Sequence, residues 1–392
     1  MKSKMWQKAE IDLRLEKLRA LMLTHDIDAM LVGTNANLYY IAGRVFAGYA
    51  YIGADGTFRL FVRRPNDFEG EDVRSIRKPE QIVAILQAEG ISIPEKVGLE
   101  KDGAAYNEVA RLEKALGLSE SKNCSGVLAA ARAVKTPQEI ELLRESGVRH
   151  CAVYGHIPAL YREGMTDLEL QVEIERELRL NGCLGIFRIS GQSMELFMGN
   201  LLVGDNADNP SPYDFAMGGG GLNSSLPVGC NGSIIRPGNT VMVDMNGNFT
   251  GYMTDMTRTF YVKNLDEHAR KAHNLSIAMH RALQSLIRPG VEAKEAYNLC
   301  ADMAKEAGES DYFMGHRQQA GFVGHGVGIE VNEWPVLAPR SKHVFEKGNV
   351  IAIEPKFVIP GVGAVGVEST YVVGDDGIEC LTPFAEEIRE LL

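Results

Sequence analysis

The first part of the chain alternates between apolar residues at helical spacing and short apolar runs typical of buried strands. Strands are predicted where β-branched and aromatic residues cluster between turn residues. The predicted helices are 10–23 and 79–90, and the predicted strands are 28–34, 49–62 with a turn at Asp55-Gly56, and 96–100. Because strands and helices alternate, residues 1–125 are predicted to form an α/β domain.

The second part, residues 126–392, has a different pattern in which helices come first and most strands come last. Pro137 indicates a helix start, and the helical pattern continues to Gly164. Thr166, with Glu169 three positions later, has the spacing of a capping box and predicts another helix. The remaining predictions are a loop-rich stretch over 190–232, a hairpin with Asn246-Gly247 near its turn, helices around 266–287 and 292–308, and strands over 349–373. This order predicts an α+β domain.

Composition narrows the class of protein but not its substrate. The chain has 392 residues, of which 45% are hydrophobic and 24% charged, as in ordinary globular proteins. A net charge of -11 argues against nucleic-acid binding, which needs a basic surface. The sequence has neither an N-terminal apolar segment nor a run of about 18 apolar residues, so we expect no signal peptide and no membrane span. Six scattered cysteines without a CxxC motif indicate a reducing compartment, the cytoplasm.

Four acidic residues lie in stretches that otherwise have the pattern of apolar strands. They are Asp244, Asp255, Glu354 and Glu368. Strands disfavour aspartate, and a buried carboxylate without a partner is costly, so these positions call for a cation. His325, in the segment "GHGVG", adds an imidazole. Carboxylates with one imidazole suit divalent Mn, Fe, Co or Zn better than a thiolate site would.

Each of these residues alone also has a structural explanation. An aspartate near a hairpin turn often caps the turn, a single histidine is often a satisfied core residue, and Glu354 could pair with an arginine. Five such residues in one chain, all in apolar strands or between glycines, favour the metal site.

The same residues and their neighbours resemble a known family. The segments "GYMTDMTRTF", "GHGVG", "IEP" and "VEST" are similar to the ligand motifs of the pita-bread metallopeptidases, which include methionine aminopeptidase, Xaa-Pro aminopeptidase and prolidase. The segment "ARAVKTPQEIELLR" resembles the entry to their catalytic domain, and the first 125 residues resemble the creatinase-type N-terminal domain of the Xaa-Pro branch. The resemblance implies an α/β N-terminal creatinase-like domain, an α+β pita-bread catalytic domain and a homodimer.

The resemblance also implies a set of ligands for two divalent ions, Mn, Co, Fe or Zn. Asp255, His325, Glu354 and Glu368 would hold one side of the ion pair. Asp244 would be bidentate to the other ion, and Asp255 and Glu368 would bridge the two.

The chain departs from the family at several positions around these ligands. The peptidases carry a histidine seven residues after the ligand histidine, where this chain has Asn332, and another histidine where it has Val228. Xaa-Pro enzymes often carry an arginine two residues before the last glutamate, where this chain has Gly366. Asn332 can donate a hydrogen bond to an oxyanion but cannot titrate, so His316 is considered as a substitute catalytic residue. Val228 and Gly366 mark altered substrate-binding positions, and the loop over 190–217 is longer than is usual.

Three functions remain open on this reasoning. The first is a metal-dependent hydrolase of the Xaa-Pro aminopeptidase or dipeptidase type, which cleaves N-terminal Xaa-Pro bonds through a water activated by two ions. The second is a metal-dependent enzyme of the same fold that acts on a non-peptide small molecule, as a creatinase-like or lyase-like protein would. The third is a non-catalytic metal-binding protein. In each case the partner is a small peptide or small molecule, and neither nucleic acid nor a membrane.

Overall fold

The computed structural model describes residues 7–191 and 194–391. The chain divides into two compact units, Met1–Arg132 and Ala133–Leu392. Each unit has its own buried apolar core. No helix in the described ranges is long and apolar enough to cross a membrane.

The first unit is built around a mixed sheet. Its helices are α1 (Lys8–Thr24), α2 (Asn35–Ala42), α3 (Ile82–Ala88), α4 (Tyr106–Leu116) and α5 (Ser125–Ala133), and Pro79–Gln81 is a short 3-10 helix. Its strands are β1 (Ala29–Val32), β2 (Ala47–Gly53), β3 (Phe58–Arg64), β4 (Val73–Ser75), β5 (Val97–Leu99) and β6 (Lys122–Asn123), in the order β4-β3-β2-β1-β5-β6. Strand β1 runs antiparallel to β2 and parallel to β5.

The α/β alternation predicted for this unit is confirmed. Apolar side chains of the sheet, such as Leu31 and Phe61, pack with Leu86 of α3 and Leu112 of α4. Helices α2, α4 and α5 were not among the predicted elements. The predicted domain boundary after residue 125 lies at the start of α5.

The second unit combines three sheets with long helices. Its helices are α6 (Pro137–Tyr154), α7 (Ile157–Leu160), α8 (Asp167–Leu180), α9 (Glu267–Leu286) and α10 (Ala293–Glu306), and Gly204–Asp208 is a 3-10 helix. Its strands are β7 (Gly199–Val203), β8 (Thr240–Asn248), β9 (Met253–Tyr261), β10 (Gly324–Gly326), β11 (Glu333–Val336), β12 (Val350–Ile353), β13 (Lys356–Ile359), β14 (Gly363–Gly366), β15 (Ser369–Val373), β16 (Ile378–Cys380) and β17 (Arg389–Glu390). The sheet orders are β17-β9-β8-β7 and β11-β10-β12-β15-β16, and β13 pairs with β14.

The helices of this unit pack against the two long strands β8 and β9 and against strands of the C-terminal part. Helix α9 packs against β13 and β14, while α6 packs against β8 and β9. The capping box at the start of α8 is present, because Glu169 N–H donates to Thr166 Oγ1 at 3.2 Å and Thr166 N–H donates to Glu169 Oε2 at 2.8 Å. The predicted order of helices followed by strands is thus confirmed as an α+β unit.

Two local predictions for this unit were wrong. The helical pattern predicted to reach Gly164 ends at Tyr154, and Pro158, which has no N–H to donate to the Tyr154 carbonyl, follows in the short helix α7. Strand β7 was missed inside the stretch predicted as loop. The predicted hairpin is present, and its turn lies between Asn248 and Met253, close to Asn246-Gly247. Gly247 itself is inside β8, where it allows the His150 ring to approach the backbone: a Cβ there would lie 2.5 Å from His150 Cγ.

Candidate active site

The hairpin of β8 and β9 supplies two of the predicted carboxylates. Asp244 pairs with Thr257 across the hairpin, and Asp255 pairs with Asn246 two positions along. Because side chains alternate along a strand, this register places Asp244 and Asp255 on the same face. Thr370 ties this hairpin to β15, since Asp255 N–H donates to Thr370 Oγ1 and that hydroxyl donates to the Asp255 carbonyl, both at 2.9 Å.

His325 lies on the short strand β10, opposite Ala352 of β12. Its Nδ1 is 3.1 Å from the carbonyl oxygen of Gly326. A carbonyl can only accept, so Nδ1 carries the proton and Nε2 faces the acidic residues, 3.4 Å from Glu354 Oε1. The glycines on either side of His325 allow close approach of the neighbouring backbone, since a Cβ would lie 2.3 Å from the Ala352 carbonyl oxygen at Gly324 and 2.1 Å from the Trp334 carbonyl oxygen at Gly326.

The two glutamates adjoin neighbouring C-terminal strands. Glu354 follows β12 and Glu368 precedes β15, and both are at least 95% buried. The Thr257 hydroxyl donates to Glu368 Oε2 at 2.7 Å. The other oxygen, Glu368 Oε1, is buried and has no hydrogen-bond partner within the described ranges.

The structure brings all five predicted ligands to the wall of one pocket with a volume of about 360 Å³. They form two overlapping groups that share Glu368: Asp255, His325 and Glu368, and Asp244, Glu354 and Glu368. In each group the potential ligand atoms lie within 4.8 Å of one another.

A lysine that sequence reasoning missed occupies the second of these groups. The Lys356 ammonium donates to Asp244 Oδ2 at 2.9 Å, to Glu354 Oε2 at 2.7 Å and to Glu368 Oε2 at 3.0 Å. Its side chain is completely buried. An ammonium has three protons, so all of its donors are satisfied by these carboxylates. Strand periodicity could have revealed it, because Lys356 stands two residues after Glu354 and shares its face.

The two groups therefore differ in how well they fit a divalent ion. Asp255, His325 and Glu368 fit one ion, since the imidazole Nε2 and the unpartnered Glu368 Oε1 are suitable ligand atoms. The second group does not fit an ion in this arrangement, because Lys356 already binds one oxygen of each of its carboxylates.

The electrostatics of the site agree with this difference. Burial raises the pKa of Asp255 to about 7, with a further contribution from the charge of Asp244. Burial also raises the pKa of Glu368. Burial acts on Glu354 in the same direction, but Lys356 and then His325 outweigh it and hold the pKa of Glu354 at about 2. Asp255 and Glu368 are therefore the carboxyl groups whose ionised forms have too little counter-charge, and both belong to the group that fits an ion.

The neighbouring acidic residues also change the pKa of His325. Burial lowers its pKa, but the hydrogen bond and charge of Glu354 and the charge of Asp255 outweigh burial and raise the pKa to about 9. Without an ion, the imidazolium is favoured by its acidic neighbours; a bound cation would instead require the neutral ring.

Apolar and aromatic side chains form the rest of the pocket wall. They include Phe187, Ile189, Phe215, Phe322 and Trp334. Acidic residues at one side and aromatic residues at the other give a pocket suited to a small, partly apolar molecule that carries a polar group.

Asn332 lies in the pocket wall, but its amide is engaged by the backbone of Ser190. Asn332 Nδ2 donates to the Ser190 carbonyl at 2.7 Å, and Ser190 N–H donates to Asn332 Oδ1 at 2.9 Å. Val331 N–H also donates to the Arg188 carbonyl at 2.8 Å. These bonds hold the segment 186–191 against the segment 328–332, so in this structure Asn332 positions a pocket wall.

The other predicted catalytic and substrate-binding residues lie elsewhere. His316 Nδ1 is 2.9 Å from Asp208 Oδ2, and His316 does not line the pocket. Val228 is buried and also lies outside the pocket lining. Gly366 ends β14 directly opposite Lys356. The structure therefore gives these three residues no contact with the space beside the acidic residues.

Comparison with known proteins reveals relatives along nearly the whole chain. Residues 141–375 match the family described as Metallopeptidase family M24, and residues 14–134 match the Creatinase/Prolidase N-terminal domain. An Xaa-Pro dipeptidase of Pyrococcus furiosus is 27% identical over 383 residues, which cover 96% of this chain and 99% of that protein. The uncharacterized peptidase YqhT of Bacillus subtilis is 27% identical over 382 residues, with 96% and 99% covered.

Solved structures agree with this assignment. An Xaa-Pro dipeptidase from Bacillus anthracis has a TM-score of 0.80 and 25% identity, over 97% of this chain and 100% of that one. The prolidase from Pyrococcus horikoshii OT3 has a TM-score of 0.78 over the same shares, and its 23% identity supports the fold alone. The predicted creatinase-like N-terminal domain and pita-bread catalytic domain are thereby confirmed.

Proposed function

The chain belongs to metallopeptidase family M24, and we propose that it hydrolyses the amide bond of a small substrate, with Xaa-Pro dipeptides as the first candidates. The observation that carries this proposal is the placement of Asp255, His325 and Glu368 at a pocket of about 360 Å³. That volume lies within the range of about 300–1,000 Å³ typical of small-molecule sites. Curated relatives that are called Xaa-Pro dipeptidases and match 96% of this chain support the substrate class.

The residues of the chain have distinct roles in this proposal. Asp255, His325 and Glu368 would hold a divalent ion, Mn, Fe, Co or Zn, which would supply Lewis acidity and an activated water. Phe215, Phe322 and Trp334 surround an apolar part such as a proline ring and exclude water from it.

Asp244 is suited to bind the amino group of such a substrate. Its side chain is 20% exposed, whereas those of Glu354 and Glu368 are at most 5% exposed. It is therefore the carboxylate of the Lys356 group most open to a charged ligand.

A non-peptide small molecule is the second candidate substrate, and the surroundings of the ligand residues favour it. His325 is the only histidine of the described ranges that lines the pocket, and Asn332 is bound to Ser190. Cleavage of an unactivated amide requires protonation of the leaving amine, so fewer titratable groups favour a substrate with a better leaving group.

The experiment that tests the proposal is an activity screen of the purified, metal-loaded protein. The panel contains Xaa-Pro dipeptides, longer Xaa-Pro peptides and small betaine-like compounds, each with added Mn²⁺ or Co²⁺ and with chelator. We expect metal-dependent release of proline from dipeptides and none from a Glu368→Ala control. Turnover of a non-peptide compound alone would select the second candidate, and no turnover of any compound would leave a metal-binding role.

The cellular setting belongs to the same proposal. The six cysteines are free, and four of them, Cys124, Cys183, Cys230 and Cys300, are buried, which supports a reducing compartment such as the cytoplasm. A homodimer is proposed on the resemblance to the family, and light scattering of the purified protein measures it directly.

A further inference from the structure

We infer that the ammonium of Lys356 takes the place of a second divalent ion, so that the site binds one ion, between Asp255, His325 and Glu368. The inference goes beyond the proposed hydrolase function, because it concerns which cations the acidic residues hold and is independent of the substrate.

The Lys356 ammonium lies among three carboxylates. Lys356 Nζ lies 2.7–3.0 Å from one oxygen each of Asp244, Glu354 and Glu368, and these are the carboxylates of the second potential metal group. A divalent ion bound through these atoms would compete for the same three oxygens at bond lengths of about 2.0–2.2 Å. The ammonium and the ion are therefore alternatives at this position.

The backbone of the hairpin of β13 and β14 directs the Lys356 side chain into the site. Lys356 begins β13, two positions after Glu354, and its carbonyl accepts from Met314 N–H at 2.8 Å. On the facing strand, Gly366 provides space, since a Cβ there would lie 2.9 Å from Lys356 Cα and 3.2 Å from Lys356 Cγ. Strand register thus holds the stem of the lysine in the site, and its side chain is completely buried.

The formal charges of the acidic residues also favour one ion and one ammonium. Four ionised carboxylates are offset by one ammonium and one divalent ion to within a single negative charge. A second divalent ion would reverse this to a single positive charge, and it would stand beside the ammonium on the same three carboxylates, where the two cations repel each other. Each oxygen of Glu368 can serve a different cation. Oε2 accepts from the Lys356 ammonium, whereas the buried Oε1 has no partner within the described ranges and is left for the divalent ion.

The experiment counts ions in the wild type and in Lys356→Ala. Both proteins are freed of metal, saturated with Mn²⁺, dialysed, and analysed by elemental mass spectrometry and by electron paramagnetic resonance. We expect one Mn²⁺ per chain with an isolated six-line spectrum in the wild type. In Lys356→Ala we expect a second Mn²⁺ and a spectrum broadened by coupling between the two ions.

Lys135→Ala is the matched control, because Lys135 is also a buried lysine in an ion pair, 2.9 Å from Glu333. We expect this variant to lose stability without gaining a second ion. If Lys356→Ala does not fold, the wild-type spectrum is used to test the inference. An isolated six-line spectrum supports a single ion, and a spectrum broadened by a coupled Mn²⁺ pair overturns the inference. Equal metal content in the wild type and Lys356→Ala also overturns it. No substrate is used, so these results are separate from the outcome of the activity screen.

Discussion

Lys356 and Gly366 face each other across the hairpin of β13 and β14, and the missing side chain of the glycine leaves room for the lysine. Gly366 also has a φ of 144°, which side chains rarely adopt. Its backbone is fixed by Thr259, whose hydroxyl donates to the Gly366 carbonyl at 2.9 Å. Lys356 and Gly366, the position where the resemblance implies an arginine in Xaa-Pro enzymes, are therefore paired positions of one hairpin.

This relationship predicts that Gly366→Ala is destabilising. An added Cβ would lie 2.7 Å from the Pro355 carbonyl oxygen, and the φ angle would be strained. We expect a loss of about 1–3 kcal/mol in the free energy of unfolding, measured by urea denaturation. The control is Gly361→Ala, where φ is also positive but a Cβ meets no atom within 4 Å. A smaller loss for Gly366→Ala than for Gly361→Ala would contradict the steric argument.

A second prediction concerns Asp255, a ligand of the group that fits an ion. Asp255→Ala is expected to lower metal content and to abolish stabilisation by metal. For the wild type, Mn²⁺ at 100-fold excess over Kd should raise Tm by about 5–10 °C relative to chelator. Differential scanning fluorimetry with Mn²⁺ and with chelator measures both effects, and Asp375→Ala, at an exposed aspartate paired with Lys347, is the control. An undiminished Mn²⁺ response in Asp255→Ala would exclude it as a ligand.

A third prediction concerns Asn332, at the position where the resemblance to the peptidases implies a histidine. Because its amide holds Ser190, we expect Asn332→His to release the segment 186–191 rather than restore a catalytic group. Loss of these bonds should raise KM by about 5–30-fold, on whichever substrate the screen identifies, and speed hydrogen exchange in that segment. Ser190→Ala, which keeps both backbone bonds, serves as the control. Higher kcat/KM in Asn332→His would show instead that position 332 acts on the substrate.

A fourth prediction links stability to pH through His280. Burial is the main cause that lowers the pKa of His280, to about 4, and its Nδ1 is 3.0 Å from the Tyr371 hydroxyl. In the unfolded chain the pKa returns to about 6.5, so the unfolded state binds more protons below that pH. This contribution to stability is complete above pH 6.5 and is lost progressively as the pH falls toward 4.

The measurement is urea denaturation of the wild type and His280→Gln at pH 7.0 and 5.5. We expect the wild type to lose about 1 kcal/mol more than the variant over this interval, because the variant lacks one titrating group. His156→Gln, at an exposed histidine, is the control. Equal losses in the wild type and His280→Gln would show that this ring is not held neutral.

Local sequence patterns predicted much of the fold. The capping box at Thr166, the helices after residue 266 and the C-terminal strands follow from periodicity and end signals that act over a few residues. The predictions failed where tertiary contacts override a local preference. Asn246-Gly247 has the composition of a turn, yet both residues are paired with β9, and the His150 ring packs against the glycine.

By itself, the sequence determined which side chains could form a metal site, since acidic residues in apolar strands need a cation wherever they are buried. Only the tertiary structure decided which cation each one meets. Glu354 and Glu368 lie 2 and 12 residues from Lys356, but Asp244 reaches the same ammonium from a strand 112 residues away. Asn332 likewise meets Ser190 across 142 residues. Periodicity specifies the face on which a side chain lies, whereas pairing between distant strands and loops specifies the atoms that it contacts.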